Sequence, residues 1–140
     1  MTGVGKIEEL EHDSGAPVEL RVVANADQLP VVRAVAETLA LLGDFTLDDI
    51  ADIKLVVDEV CSELIANAVP KADLTCSFVV GDVGMRITTT SLVQDGRVPK
   101  SDSFGWHVLQ TLTDSISLSA SSVENGSSVA VDVVKRRSNN

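Results

Sequence analysis

The chain has 140 residues, a length that suits one domain with a sizeable core. With 21 acidic side chains against 11 basic ones, its formal net charge is −10. That balance argues against direct contact with nucleic acid, because phosphate binding needs clustered Lys and Arg, and it favours a basic partner protein. No segment has the uniform apolar length of a membrane span. The polar, acidic start carries no secretory signal, so a cytoplasmic location is expected. Without secretion, the sequon-like Asn125-Gly126-Ser127 has no meaning.

Aromatic residues make up 3% of the chain, so the core must be mostly Val, Leu, Ile and Ala. Residues 1–17 are polar and lack periodicity, which predicts a flexible arm ahead of a single domain over 18–135. Val18, Leu20 and Val22 alternate with Glu19 and Arg21, the pattern of a first strand. Asp27 can cap a helix over 28–42, with Pro30 tolerated in its first turn. Its apolar positions are Leu29, Val32, Val35, Ala36 and Leu39, and Gly43 stops it. Thr46 caps the next helix, with Asp49 three residues on in a capping-box arrangement, and Pro70 ends it after Val69.

Two strands over 74–80 and 84–90 follow, joined at Gly81-Asp82. Residues 91–103 are polar and turn-rich. A short helix is predicted over 104–113, then a hairpin in which Ile116, Leu118 and Ala120 alternate opposite Val129, Val131 and Val133. Asn125-Gly126 supplies its turn, and a basic, polar tail takes up 136–140. Hairpins imply an antiparallel or mixed sheet. Three helices would cover one of its faces, giving a two-layer α+β domain.

The long second helix carries the most informative pattern. Glu59, Glu63 and Asn67 recur at four-residue intervals, so they stack in one stripe beside the apolar face of Ile53, Val57, Val60 and Leu64. Such a stripe can hold a metal ion and the phosphates it carries, or it can be a solvated helix face. Cys61 and Cys76 lack metal-ligand spacing, and His12 and His107 complete no site. Both cysteines read as buried small hydrophobes, with a redox switch as the alternative.

VVDEVCSELIANAV resembles the N-box helix of the GHKL, or Bergerat-fold, ATPases, and FGWHVLQTLTDSISL resembles their second glycine box. The closer likeness is to the bacterial serine kinase/anti-sigma factors of the RsbW and SpoIIAB group, nearest in pattern to the actinobacterial RsbW-like, or UsfX, members. It spans residues 18–134. The resemblance implies a GHKL sandwich with a mixed, mostly antiparallel sheet. It also implies ATP or ADP with Mg²⁺ as cofactor, a sigma factor and a STAS-type anti-anti-sigma factor as partners, and a homodimer.

Carried over position by position, the resemblance places Glu59 as general base and Glu63 where the family has its metal-binding asparagine. Sliding the match by one turn makes Glu63 the base and Asn67 the Mg²⁺ ligand; the first register fits the neighbouring apolar positions better. The expected adenine region holds Thr89, Thr90 and Ser91, with Asp95-Gly96 several residues late. Gly96 is the lid's single glycine, and Gly105 with Trp106 stands at the second box. Arg33 and Glu37, on the first helix, are the expected contacts for a sigma factor. Two functions follow: an anti-sigma factor holding a stress- or sporulation-type sigma factor until an antagonist relieves it, and an ATP-dependent serine kinase acting on that antagonist. A thiol-controlled regulator is a third.

Overall fold

The computed structural model describes residues 17–100 and 104–138, so all but the last residue of the expected arm over 1–17 lies outside the described residues. Strand β1 (Val18–Val23) is followed by one 3₁₀ turn over Ala26–Gln28. Asn25, not Asp27, caps that turn: its side chain accepts a hydrogen bond from the Asp27 N–H. Helix α1 (Leu29–Leu42) then begins, with Pro30 in its first turn, where no backbone donor is needed. It buries Val32, Ala36 and Ala40 at four-residue spacing, and Leu29, Val35 and Leu39 pack at the margin of the core. Gly43 ends the helix as expected, but the left-handed turn falls on Asp44 (φ 60°).

Helix α2 (Leu47–Ala66) starts where the Thr46 hydroxyl accepts from the Asp49 N–H at 3.1 Å. It ends three residues before the expected Val69. There the backbone is claimed by the sheet: Val69 N–H donates to the Leu92 carbonyl, and the Asn67 carbonyl accepts from Gln94 N–H. The strands β2 (Asp73–Val80) and β3 (Gly84–Val93) form a hairpin, and β3 runs beyond the expected Thr90. Its extra length is paired by β5, whose register continues to Val93 opposite Ser127. Helix α3 (Phe104–Leu112), β4 (Ser115–Val123) and β5 (Gly126–Arg136) complete the chain. Val123 pairs with Gly126, so Glu124 and Asn125 occupy the centre of that turn instead of Asn125-Gly126. At Gly126 (φ 151°) a side chain would run into the Val93 carbonyl oxygen.

The five strands lie in the order β1-β2-β3-β5-β4, and every pair is antiparallel. Because side chains alternate along a strand, one face carries the row Leu20, Cys76, Thr89, Val131 and Leu118. Ile53, Val57, Val60, Cys61 and Leu64 of α2 share its core cluster. The next row, Glu19, Ser77, Thr88, Asp132 and Ser117, lies on the other, polar face. There Asp132 accepts from Arg86 and from the Thr88 hydroxyl. This is the expected two-layer α+β sandwich. No helix among the described residues is long and apolar enough to cross a membrane.

Residues 136–138 are not a loose tail. The Arg137 guanidinium donates to the carbonyls of Gly43, Gly81 and Asp82 and lies 4.6 Å from the centre of the Phe45 ring. Ser138 donates from both its N–H and its hydroxyl to the buried Asp49 carboxylate, at 2.7 and 2.6 Å. Lys135 bridges Asp52 and the Leu112 carbonyl, each at 3.1 Å. The end of the chain thus clamps the start of α2, the α1–α2 turn and the β2–β3 turn.

Burial alone would raise the Asp49 carboxyl, but the Ser138 hydrogen bonds, Lys135 and the Thr46 hydroxyl together hold it below its ordinary value. A depressed folded-state pKa stabilises the fold above the unfolded value, about 3.9, and that contribution is lost as pH falls through the folded value. Asp49→Ala is expected to cost about 1.5–3 kcal/mol at neutral pH in urea unfolding. Asp49→Asn should flatten the wild type's loss of stability below about pH 4.

Candidate functional site

The end of α2 and the start of α3 enclose a cleft of about 310 Å³, counting the part open to solvent. Glu59, Val60, Glu63 and Leu64 form one wall, and Gly105, Trp106 and Leu109 the other. Val131 and Pro99 complete the lining. The apolar lining follows from the two helices' inward faces: Val60, Leu64, Trp106 and Leu109 are all buried. The two carboxylates sit where α2 turns from core to solvent, Glu59 half-buried and Glu63 exposed.

Glu59 packs so closely against the first turn of α3 that a methyl group on Gly105 would overlap its carboxylate. A side chain at 105 would therefore have to move the far end of the Glu59 side chain. A carboxylate beside a helix N-terminus is stabilised by the helix dipole and the unpaired N–H groups there. Glu63 has the opposite setting. It lies in the last turn of α2, where that helix's dipole disfavours negative charge. No lysine or arginine is among the described residues that line the cleft.

The cleft therefore gathers Glu59, Glu63, Gly105 and Trp106 from the sequence-derived set and leaves out the others. The stripe breaks at its third member. Asn67 is the C-cap of α2, and its side-chain amide donates to the Glu63 carbonyl at 2.8 Å. Thr89 is buried on the helix-facing side of β3, between Cys76 and Val131. Thr90, one residue on, belongs to the opposite face. The Ser91 hydroxyl donates to the Asp73 carbonyl at 2.8 Å. Asp95 and Gly96 (φ 77°) lie in an exposed turn closed by Arg97 N–H to the Gln94 carbonyl. Because β3 extends to Val93, that turn comes directly after the strand, not several residues late. Arg33 and Glu37 tie α1 to α2 through Asp58 at 2.7 Å and Lys54 at 3.1 Å.

Sequence reasoning missed Leu109, Val131 and Pro99 as lining residues. The signal for Leu109 was its position three after Trp106, on the same helix face. His107 is exposed on α3, His12 lies outside the described residues, and no cluster among the described residues could hold a metal through His, Cys, Asp and Glu alone.

No family model matches the chain. The anti-sigma-F factor RsbW of Mycobacterium tuberculosis, from strains CDC 1551 / Oshkosh and H37Rv, is 34% identical over 105 residues. The match covers 71% of this chain and 59% of that protein. The chain thus spans less than two thirds of the length of the curated relatives it matches. The crystal structure of the RsbU and RsbW domains of Rv1364c from the same species is similar with a TM-score of 0.61. That likeness covers 89% of this chain and 33% of the other, at 12% identity, and it shows the fold. The two-layer sandwich, with its carboxylate-bearing helix beside a glycine-opened helix, is a GHKL-type domain. Within that class, the chain is similar to the RsbW type in sequence over 105 residues and in fold.

The Gly105–Glu59 contact makes a testable constraint. Gly105→Ala is expected to lose about 1 kcal/mol or less in urea unfolding, because the methyl displaces only the far end of the flexible Glu59 side chain. Adding Glu59→Ala should recover most of that loss, a coupling that a double-mutant cycle measures.

Proposed function

We propose that this chain is an anti-sigma factor: it sequesters an alternative sigma factor of the stress or sporulation type and so lowers transcription. An anti-anti-sigma factor of the STAS type relieves it. The observation that carries this reading is the likeness to the anti-sigma-F factor RsbW. The charge of −10 fits a partner with basic patches. Arg33 and Glu37, half-exposed on α1, are the proposed contacts. A homodimer paired through the sheets is the proposed assembly.

Sequestration is favoured over catalysis by the chemistry of the cleft. Two carboxylates face it, with no lining cation among the described residues to offset the charge of a triphosphate. At the adenine end, Thr89 is buried beneath α2 and does not line the cleft. The residues at the phosphate end fit Mg²⁺ better, since Glu63 offers an exposed carboxylate oxygen to a hard cation.

A second reading, a Mg-ATP-dependent serine kinase, is supported by the shared position of Glu59, Glu63 and Gly105 in one cleft. In that reading Glu59 takes the proton from a partner serine, whose oxygen attacks the γ-phosphorus as ADP leaves. Mg²⁺ would neutralise charge on the phosphates, held by Glu63 or, in the shifted register, by Asn67.

The test is capture of the tagged chain's partners from a lysate of its own host, with and without Mg-ATP, read by mass spectrometry. Equal retention of a sigma factor in both conditions, unchanged by Glu59→Ala, is the expected result. Exchange of the sigma factor for a serine-phosphorylated partner when ATP is added would establish the kinase instead. Retention of no sigma factor in either condition would remove the anti-sigma reading.

A further inference from the structure

Cys61 and Cys76 are the chain's two cysteines, and the fold brings them together. Their sulfurs lie 4.0 Å apart in the core, one on the buried face of α2 and the other on β2. Both are free thiols, each about 1% exposed. A disulfide needs its sulfurs about 2.05 Å apart, so an approach of about 2 Å would join them. Nothing in the anti-sigma or kinase chemistry uses this pair.

The surroundings make the two sulfurs unlike. The hydrogen bond with Cys76 and burial push the Cys61 thiol up. The same hydrogen bond, with a second from the Thr89 hydroxyl, holds Cys76 below its ordinary value against the effect of burial. A thiolate is the nucleophilic form of a cysteine, so Cys76 is the sulfur assigned the attack, and the 4.0 Å contact between the two sulfurs carries the pairing. Val131 lines the cleft, Thr89 pairs with Val131, and Cys76 pairs with Thr89, all on the helix-facing side of the sheet.

We propose that Cys61 and Cys76 are a redox modification site, closed to a reversible intrachain disulfide by small peroxides and reopened by low-molecular-weight thiols. The Cys76 sulfur attacks a peroxide oxygen, giving a sulfenic acid and one water. The Cys61 sulfur then attacks the Cys76 sulfur, its hydrogen leaving with the hydroxyl as a second water. Two thiols are oxidised and one peroxide is reduced. Reduction by two small thiols restores the pair and leaves their disulfide. Because Cys61 lies on α2 between Glu59 and Glu63, closing the bond draws the C-terminal half of that helix toward β2. The two carboxylates then shift against Gly105 and Trp106. The switch thus acts on the cleft whether or not the cleft takes a nucleotide.

Trp106 is the chain's single tryptophan and lines the cleft, so its emission reports the movement. The full chain is treated with hydrogen peroxide while folded, alkylated with N-ethylmaleimide in denaturant and weighed. The expected product has lost two hydrogens and takes up no alkyl group. It yields one cross-linked peptide pair joining Cys61 to Cys76, and its Trp106 emission changes reversibly with dithiothreitol. Cys61→Ala and Cys76→Ala, which keep a small apolar residue in the core, should show no cross-link and no reversible emission change. Two alkylatable thiols remaining at peroxide doses that oxidise glutathione would overturn the proposal, as would cross-links between chains alone. An intrachain disulfide with unaltered Trp106 emission would overturn its coupling to the cleft.

Discussion

The seating of α2 on the sheet is the constraint from which the rest of the structure follows. Ile53, Val57, Val60, Cys61 and Leu64 are each less than 5% exposed in the cluster they share with Leu74, Cys76, Ile87 and Val131. Burying one aliphatic side chain of this size is worth about 1.5–3 kcal/mol. That exceeds the few tenths of a kcal/mol offered by a pair of exposed charges such as Lys54 and Glu37. Packing therefore fixes the rotation of the helix about its axis. Once it is fixed, Glu59 and Glu63 have one place to go, the rim facing α3. The site is a consequence of the core, and the ion pairs to α1 only trim the hairpin.

Charge is distributed along α2 with a clear division. Its N-terminal end holds Asp48, Asp49 and Asp52, where the dipole favours carboxylates, and there Lys135 and the Ser138 hydrogen bonds meet Asp49 and Asp52. Its C-terminal end carries Glu63, where the dipole opposes a carboxylate and no lining lysine or arginine among the described residues compensates. The locally unfavourable charge thus sits at the cleft, while the compensated charge serves the fold. Proteins tend to break their own local rules at sites of function, and Glu63 is such a break.

Much of this was legible in the sequence because it rests on periodicity. The two faces of α2, the Thr46 cap, the valine alternation of β5 and the order of elements all follow from spacing. What was not legible rests on competition between distant backbone groups. Residues 67–69 continue a helical pattern, but Val69 and Asn67 are claimed by Leu92 of β3 and by Gln94 just after it. That one contest shortens α2, lengthens β3 and takes Asn67 off the stripe. The clamp by Arg137 and Ser138 was equally hidden, since its acceptors lie 55 to 94 residues away in sequence.

Thr89 shows why residue type alone misleads at such a site. At the level of sequence its hydroxyl is a candidate partner for an adenine amine. In the folded chain the alternation of β3 turns it inward, where a buried hydroxyl must find a partner or cost free energy. Its cross-strand neighbours there are Cys76 and Val131. A group placed in this way faces the core and not the cleft. Val131, which lines the cleft, and the thiol pair beyond Thr89 thus lie along one row of the sheet under the same helix, as separate chemistries.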